Sequence, residues 1–157
     1  MDMNRQVNRR LHEEHMSTLA LWNQFEQAIA ARAGAWPPAA EDAEIERLLR
    51  SCAVALAEEL WHHFEFEESE LFPRMVESGE GDIAELLAEE HATIRAAAQA
   101  FSAALETRDW QQLRSAGLEL AERLVAHVHK EEMSLLPAIE DLLDEETDAR
   151  LALAYSS

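Results

Sequence analysis

The pattern His-x-x-x-Glu-Glu-x-x-Leu-x-Pro occurs twice in this chain, from His63 to Pro73 and from His127 to Pro137. Aligning the copies places His63 on His127, Glu67 on Glu131, Glu68 on Glu132 and Leu71 on Leu135. Residues four apart on a helix share a face. Each copy therefore aims an imidazole and a carboxylate into one volume, and the leucine one turn further on identifies that face as the core face. A second pair of segments repeats as well. Leu11-His-Glu-Glu-His15 matches Leu87-Ala-Glu-Glu-His91. The chain thus reads as two helical hairpins, each offering one histidine and then a His-x-x-x-Glu pair.

The apolar pattern supports helices throughout. Leu11, Leu19, Trp22, Phe25 and Ile29 recur at helical spacing, as do Ile45, Leu49, Cys52, Leu56 and Leu60. Ile83, Leu87, Ile94, Ala98, Phe101 and Leu105 form a third stripe, and Leu113, Leu120, Leu124 and Leu135 a fourth. Such three- and four-residue steps mark amphipathic helices. The segments are separated at 31–42 by Gly34, Pro37 and Pro38, at 77–82 by two glycines and Asp82, and at 106–110 by Asp109. Expected helices span about residues 3–32, 41–77, 82–106 and 109–143 of a single domain, residues 1–157, with a short C-terminal tail from about Asp144 that either adds a turn of helix or frays. Short connections make neighbouring helices antiparallel. The expected fold is all-α, an up-down-up-down four-helix bundle.

The histidines sit on these stripes. His15 follows Leu11 and precedes Thr18 and Trp22. His63 and Glu67 extend the second stripe, His91 lies between Leu87 and Ile94, and His127 and Glu131 extend the fourth. Counting from the loops at about 1.5 Å per residue brings all four imidazoles to one level. Burying four imidazoles and two carboxylates uncompensated would cost several kcal/mol per charge. A domain stable by about 5–15 kcal/mol cannot carry that. A dinuclear metal centre satisfies all six, with each carboxylate able to bridge.

The net charge is −19, from 13 Lys plus Arg against 32 Asp plus Glu. Nucleic acid and anionic membrane demand the opposite sign and are excluded as main partners. No apolar run is long enough to span a bilayer, and the first residues lack a signal-peptide core. The one cysteine, Cys52, reads as a buried thiol. Together these place the protein in the reducing cytoplasm.

The motifs Glu13-Glu14-His15, His63 to Pro73, Glu89-Glu90-His91 and His127 to Pro137 resemble the hemerythrin-like family, also called HHE cation-binding domains. The resemblance covers about residues 8–140. It implies a four-helix bundle around a non-heme, carboxylate-bridged di-iron centre. His15 and His63 would bind one iron, His91 and His127 the other, and Glu67 and Glu131 would bridge. Oxygen-carrying hemerythrins add a fifth histidine, in a His-x-x-x-His step on the third helix. Here Leu87 and Arg95 flank His91 at four residues, and neither can replace it. A six-coordinate ion would keep about two open positions. The chain is similar to four-histidine members, which include proteins for iron-centre repair and for nitric oxide or peroxide stress. The resemblance implies binding of O2, NO or peroxide for sensing, storage or protection. The alternatives are an enzyme that breaks down peroxide or reduces NO, and an iron donor for repair. Hemerythrins proper place the second carboxylate five after the last histidine, at Glu132, whereas the helical face favours Glu131. Iron rests on the resemblance, since imidazole with carboxylate also suits manganese or zinc. A ferritin-like site needs two Glu-x-x-His steps, and only Glu59 to His62 fits.

The remaining polar residues read more plainly. His12 lies off the first stripe and reads either as outer support for the site or as a surface residue, with the surface favoured, while His62 and His129 are expected at the surface. Glu59 and Arg123 hold equivalent repeat positions and read either as an ion pair or outer support across the bundle, or as two surface charges. Trp22, Trp61, Phe25, Phe64 and Phe66 are expected to pack, with one or two lining the ligand pocket.

Overall fold

The computed structural model describes residues 2–157. The described residues are helical with no strand. Helix α1 spans Gln6–Ala31. A second rod begins with α2 (Ala43–Glu58), which Asp42 caps by accepting the Ile45 N–H. It continues without a break through a π turn at Glu59–His63, α3 (Phe64–Phe66), a second π turn at Glu67–Leu71 and α4 (Phe72–Glu77). Gly79 then adopts φ +93°, the left-handed residue that closes a helix end. Helix α5 spans Gly81–Thr107 and starts without a side-chain cap, so Asp82 does not cap it. Asp109 does cap α6 (Trp110–Met133), accepting the Gln112 N–H.

The two repeat prolines are accommodated differently. A proline inside a helix lacks an N–H and presses on the carbonyl four residues earlier. In the first copy the π turn at Glu67–Leu71 precedes α4, whose first turn contains Pro73 and needs no N–H there. In the second, the helix breaks at Ser134 and resumes as α7 (Leu135–Leu142) with Pro137 in its first turn. Both devices lie just past the inward carboxylates.

The C-terminal residues, expected as a short tail, form α8 (Glu145–Ser156), capped by Asp144. This helix closes the other end of the chain. The α1 N-terminus has no cap of its own. Instead Gln6 N–H and Val7 N–H donate to the Asp148 carboxylate at 2.8 and 3.0 Å, and Asn4 N–H donates to Glu140 at 2.9 Å. The free donors of a helix start are thus met by acids from α7 and α8.

Two apolar cores flank a polar layer. The first holds Trp22, Phe25, Leu49, Cys52, Leu56, Ile94, Phe101, Leu120 and Leu124. The second holds Leu11, Leu71, Phe72, Met75, Leu87, Leu135, Ile139, Leu151 and Tyr155. Along α1 and α5 the chain passes from the second core to the first, and along α2–α4 and α6–α7 it returns. Each passage crosses a buried histidine between the cores. Cys52 is a free thiol in the first core, and burial pushes it up to about 12.

In the first core α6 approaches α1 at Gly117. A Cβ there would lie 2.3 Å from Phe25 Cζ and 3.1 Å from Phe101 Cε2. Phe25 and Phe101 are both fully buried and pack edge-on at 5.8 Å, so neither can swing aside. Gly117→Ala is therefore expected to destabilise the fold by about 1–3 kcal/mol. Denaturant unfolding of the metal-free protein measures this, and an unchanged midpoint would refute it.

Candidate metal centre

Six buried side chains meet in the layer between the cores: His15, His63, Glu67, His91, His127 and Glu131. All four imidazoles present Nε2 inward. Glu67 Oε2 lies 3.0 Å from His63 Nε2, while its Oε1 lies 3.1 Å from His91 Nε2. Glu131 Oε1 lies 2.9 Å from His15 Nε2, while its Oε2 lies 3.0 Å from His127 Nε2 and 3.4 Å from His91 Nε2. Each carboxylate therefore splits its two oxygens between two groups. One is His15, His63, Glu67 and Glu131, the other Glu67, His91, His127 and Glu131, and within each the ligand atoms all lie within 4.8 Å of one another.

The donor set fits cations. Glu67 Oε1, Glu131 Oε2, His91 Nε2 and His127 Nε2 are buried and lack a well-directed hydrogen bond despite their proximity. Buried polar atoms are seldom left so, because each costs about 1–3 kcal/mol. A cation between carboxylate oxygens and imidazole nitrogens satisfies both sides at once.

Outside these six lies a ring of glutamates. Glu132 accepts from His15 Nδ1 at 2.6 Å, Glu14 from His63 Nδ1 at 2.8 Å, Glu68 from His91 Nδ1 at 2.7 Å and Glu90 from His127 Nδ1 at 2.8 Å. His63, His91 and His127 are thus each held by a glutamate from the preceding long helical rod, and α6, through Glu132, supports His15 on α1. A carboxylate on Nδ1–H fixes the tautomer, leaves Nε2 free to ligate and makes it more basic. This explains the doubled glutamates of both motifs. Glu131 faces in and Glu132 faces out, which favours Glu131 over Glu132 as the inward carboxylate.

The field of these acids governs titration. Burial alone would lower the histidine pKa values. For His15, hydrogen bonds to Glu131 and Glu132 outweigh burial and raise it to about 9. For His91, Glu131 and Glu67 raise it to about 10. His63 and His127 rise in the same direction. Burial would raise Glu14, but hydrogen bonds from His63 and Tyr155 bring it down to about 2. Glu59 sits 3.8 Å from His63 Nδ1, and burial raises it.

Several side chains depart from the favoured expectation. His12 is only partly exposed and reaches Glu132 at 2.6 Å, sharing that acid with His15. His62 is not solvated but stacks on Tyr155 at 4.2 Å and contacts its carbonyl oxygen. Glu59 and Arg123 do not pair, since Glu59 is buried beside His63 while Arg123 lies outside against Glu119. Trp61 does not pack and is 74% exposed. Phe64, by contrast, enters the layer. Its ring stacks face to face on His91 at 3.7 Å and meets His127 edge-on at 5.5 Å. His129 is exposed, as expected. The four outer glutamates carried one legible signal, their recurrence at matching positions of the two hairpins.

A family model described as the hemerythrin HHE cation binding domain matches residues 6–139. No curated protein and no solved structure matches the chain.

Proposed function

Because the chain belongs to the hemerythrin HHE cation-binding family, we propose that it is a non-heme di-iron protein that takes O2, NO or peroxide for sensing, storage or stress protection. In this reading residues 1–157 form one domain, an up-down-up-down four-helix bundle, supported by the alternating passage of its long helices between the two cores. His15 and His63 hold one ion, His91 and His127 the other, and Glu67 and Glu131 bridge. The observation that carries this is the division of each carboxylate's oxygens between the two groups. Bound iron would supply redox chemistry and open coordination positions for the small ligand. The chain's part is to orient Nε2 through the outer glutamates and to keep the layer dry between two apolar cores. The charge of −19 argues against nucleic acid or anionic lipid as partner. No helix among the described residues is long and apolar enough to cross a membrane.

The test is to load Fe(II) without air, count iron per chain, admit O2 and follow the visible spectrum. Two irons with a band that persists and fades when O2 is withdrawn support a carrier or sensor. Two irons passing directly to a ferric spectrum shift the assignment to peroxide, NO or iron-repair chemistry. Absence of iron overturns the proposal.

A proton count gives a second test. The raised pKa values keep His15 and His91 protonated at neutral pH in the metal-free protein. A cation must displace those protons, so affinity falls as pH falls below about 10, through the His91 and His15 values. Calorimetry in buffers of different ionisation enthalpy should show proton release on loading at pH 7. Metal uptake without proton release would contradict it.

A further inference from the structure

The two halves of the centre differ outside the ring of glutamates. On one side, Glu90, which holds His127, is met by the exposed ammonium of Lys130. At the repeat-related place, Glu14, which holds His63, also meets an exposed cation, Arg10 at 2.9 Å, and in addition the phenol of Tyr155 donates to the same oxygen that accepts from His63 Nδ1. Tyr155 is buried. Its ring lies between His62 at 4.2 Å and Phe66 at 4.5 Å, with Arg10 over the ring at 5.4 Å, and its carbonyl accepts from His62 Nε2 at 2.8 Å. It belongs to α8, beyond residues 6–139 that the family model covers. That helix is anchored independently by Asp148 at the α1 N-terminus and by Leu151 in the second core.

We propose that Tyr155 is a positioning residue for one of the two cations, fixing His63 through Glu14, so that docking of α8 and occupancy of the His15/His63 half are coupled. The physical reason is freedom of movement. A long lysine on the surface constrains Glu90 weakly. A buried, stacked phenol holds Glu14 in one place, and Glu14 in turn fixes the ring plane and tautomer of His63. Because binding linkage is reciprocal, a cation held better when α8 is docked must also hold α8 down. The inference rests on the reading of the six inward residues as a two-ion site.

Tyr155→Phe removes the hydroxyl and keeps the stacked ring. Anaerobic Fe(II) titration of this variant should show two ions, one of them about 10-fold weaker and the other unchanged. Glu14→Gln should show the same selective loss, and the double variant no more than the Glu14→Gln loss, because Tyr155 acts through Glu14. In the parent protein iron should slow amide exchange in α8 selectively, and Tyr155→Phe should abolish that slowing while retaining parental helicity. Parental affinities for both ions in Tyr155→Phe would overturn the proposal. So would equal weakening of both ions, the mark of general destabilisation, or additive effects of the two substitutions. A parent chain that binds no iron would fail at the first step, removing the site reading together with this inference.

Discussion

Glu67→Ala binds neither cation: that is the expected result of removing one carboxylate whose two oxygens face opposite halves of the layer. Oε2 is directed at His63 and Oε1 at His91, each within about 3 Å. Loss of a terminal ligand would empty one half. On the proposed two-ion reading, loss of Glu67 would take an oxygen from both halves and leave one carboxylate between the two cations. Glu131→Ala should behave alike, since its oxygens divide between His15 and His127. Glu132→Ala is the informative control, because its carboxylate reaches only Nδ1 of His15 and His12. It should retain two ions per chain with affinity reduced about 10–100-fold. Metal per chain, counted after gel filtration, separates these outcomes. Two ions retained by Glu67→Ala, or none by Glu132→Ala alone, would reverse the inward and outward assignments.

The second large effect is expected at Phe64. Its ring lies parallel to His91, with an interplanar angle of 2°, and the Arg95 guanidinium lies over it at 5.5 Å. Phe64 also belongs to the first core and is fully buried. Truncation to alanine would open a cavity between apolar and polar layers, costing about 3–5 kcal/mol. The cavity would adjoin imidazoles, so water could enter where it is now excluded. Phe64→Ala should therefore lower stability and loosen His91. Thermal unfolding of metal-free and metal-loaded protein would measure both. Phe64→Leu, which fills most of the volume without a flat face, should recover most of the stability. If Phe64→Ala melts like the parent chain, the ring is not the seal the packing implies.

Much of this was legible in sequence because helix periodicity constrains direction. Once Leu11, Trp22 and Phe25 define a core face, His15 must share it, and the same reasoning placed His63, His91 and His127. The π turns were not legible. They depend on hydrogen-bond offsets within a continuous helix, and only Pro73 hinted that the ladder is interrupted. Tyr155 was hidden for another reason. It meets Glu14 across a sequence separation of 141 residues, and the final stretch is too weakly amphipathic to declare its inward side. Glu59 shows the limit of pattern matching between repeats. Its counterpart Arg123 suggested a partner, but one side chain turned into the layer and the other outward. Position in a repeat predicts a backbone environment, and charge then selects whether the side chain stays in it.

The ring of outer glutamates also bears on how the chain finds its arrangement. Glu14 reaches to the second rod, Glu68 to α5, Glu90 to α6 and Glu132 back to α1. The ring closes only when every helix has its correct neighbour at its correct depth. Sliding one helix by a single residue would turn its inward side chains by about 100°, stranding a glutamate at one joint and a histidine at the next. Greasy leucine faces alone tolerate such slips, whereas a buried imidazole left without its carboxylate penalises them. The residues that hold the imidazoles thus tie one helix order and one register to the geometry of the layer, and they do so through the protein's own side chains alone.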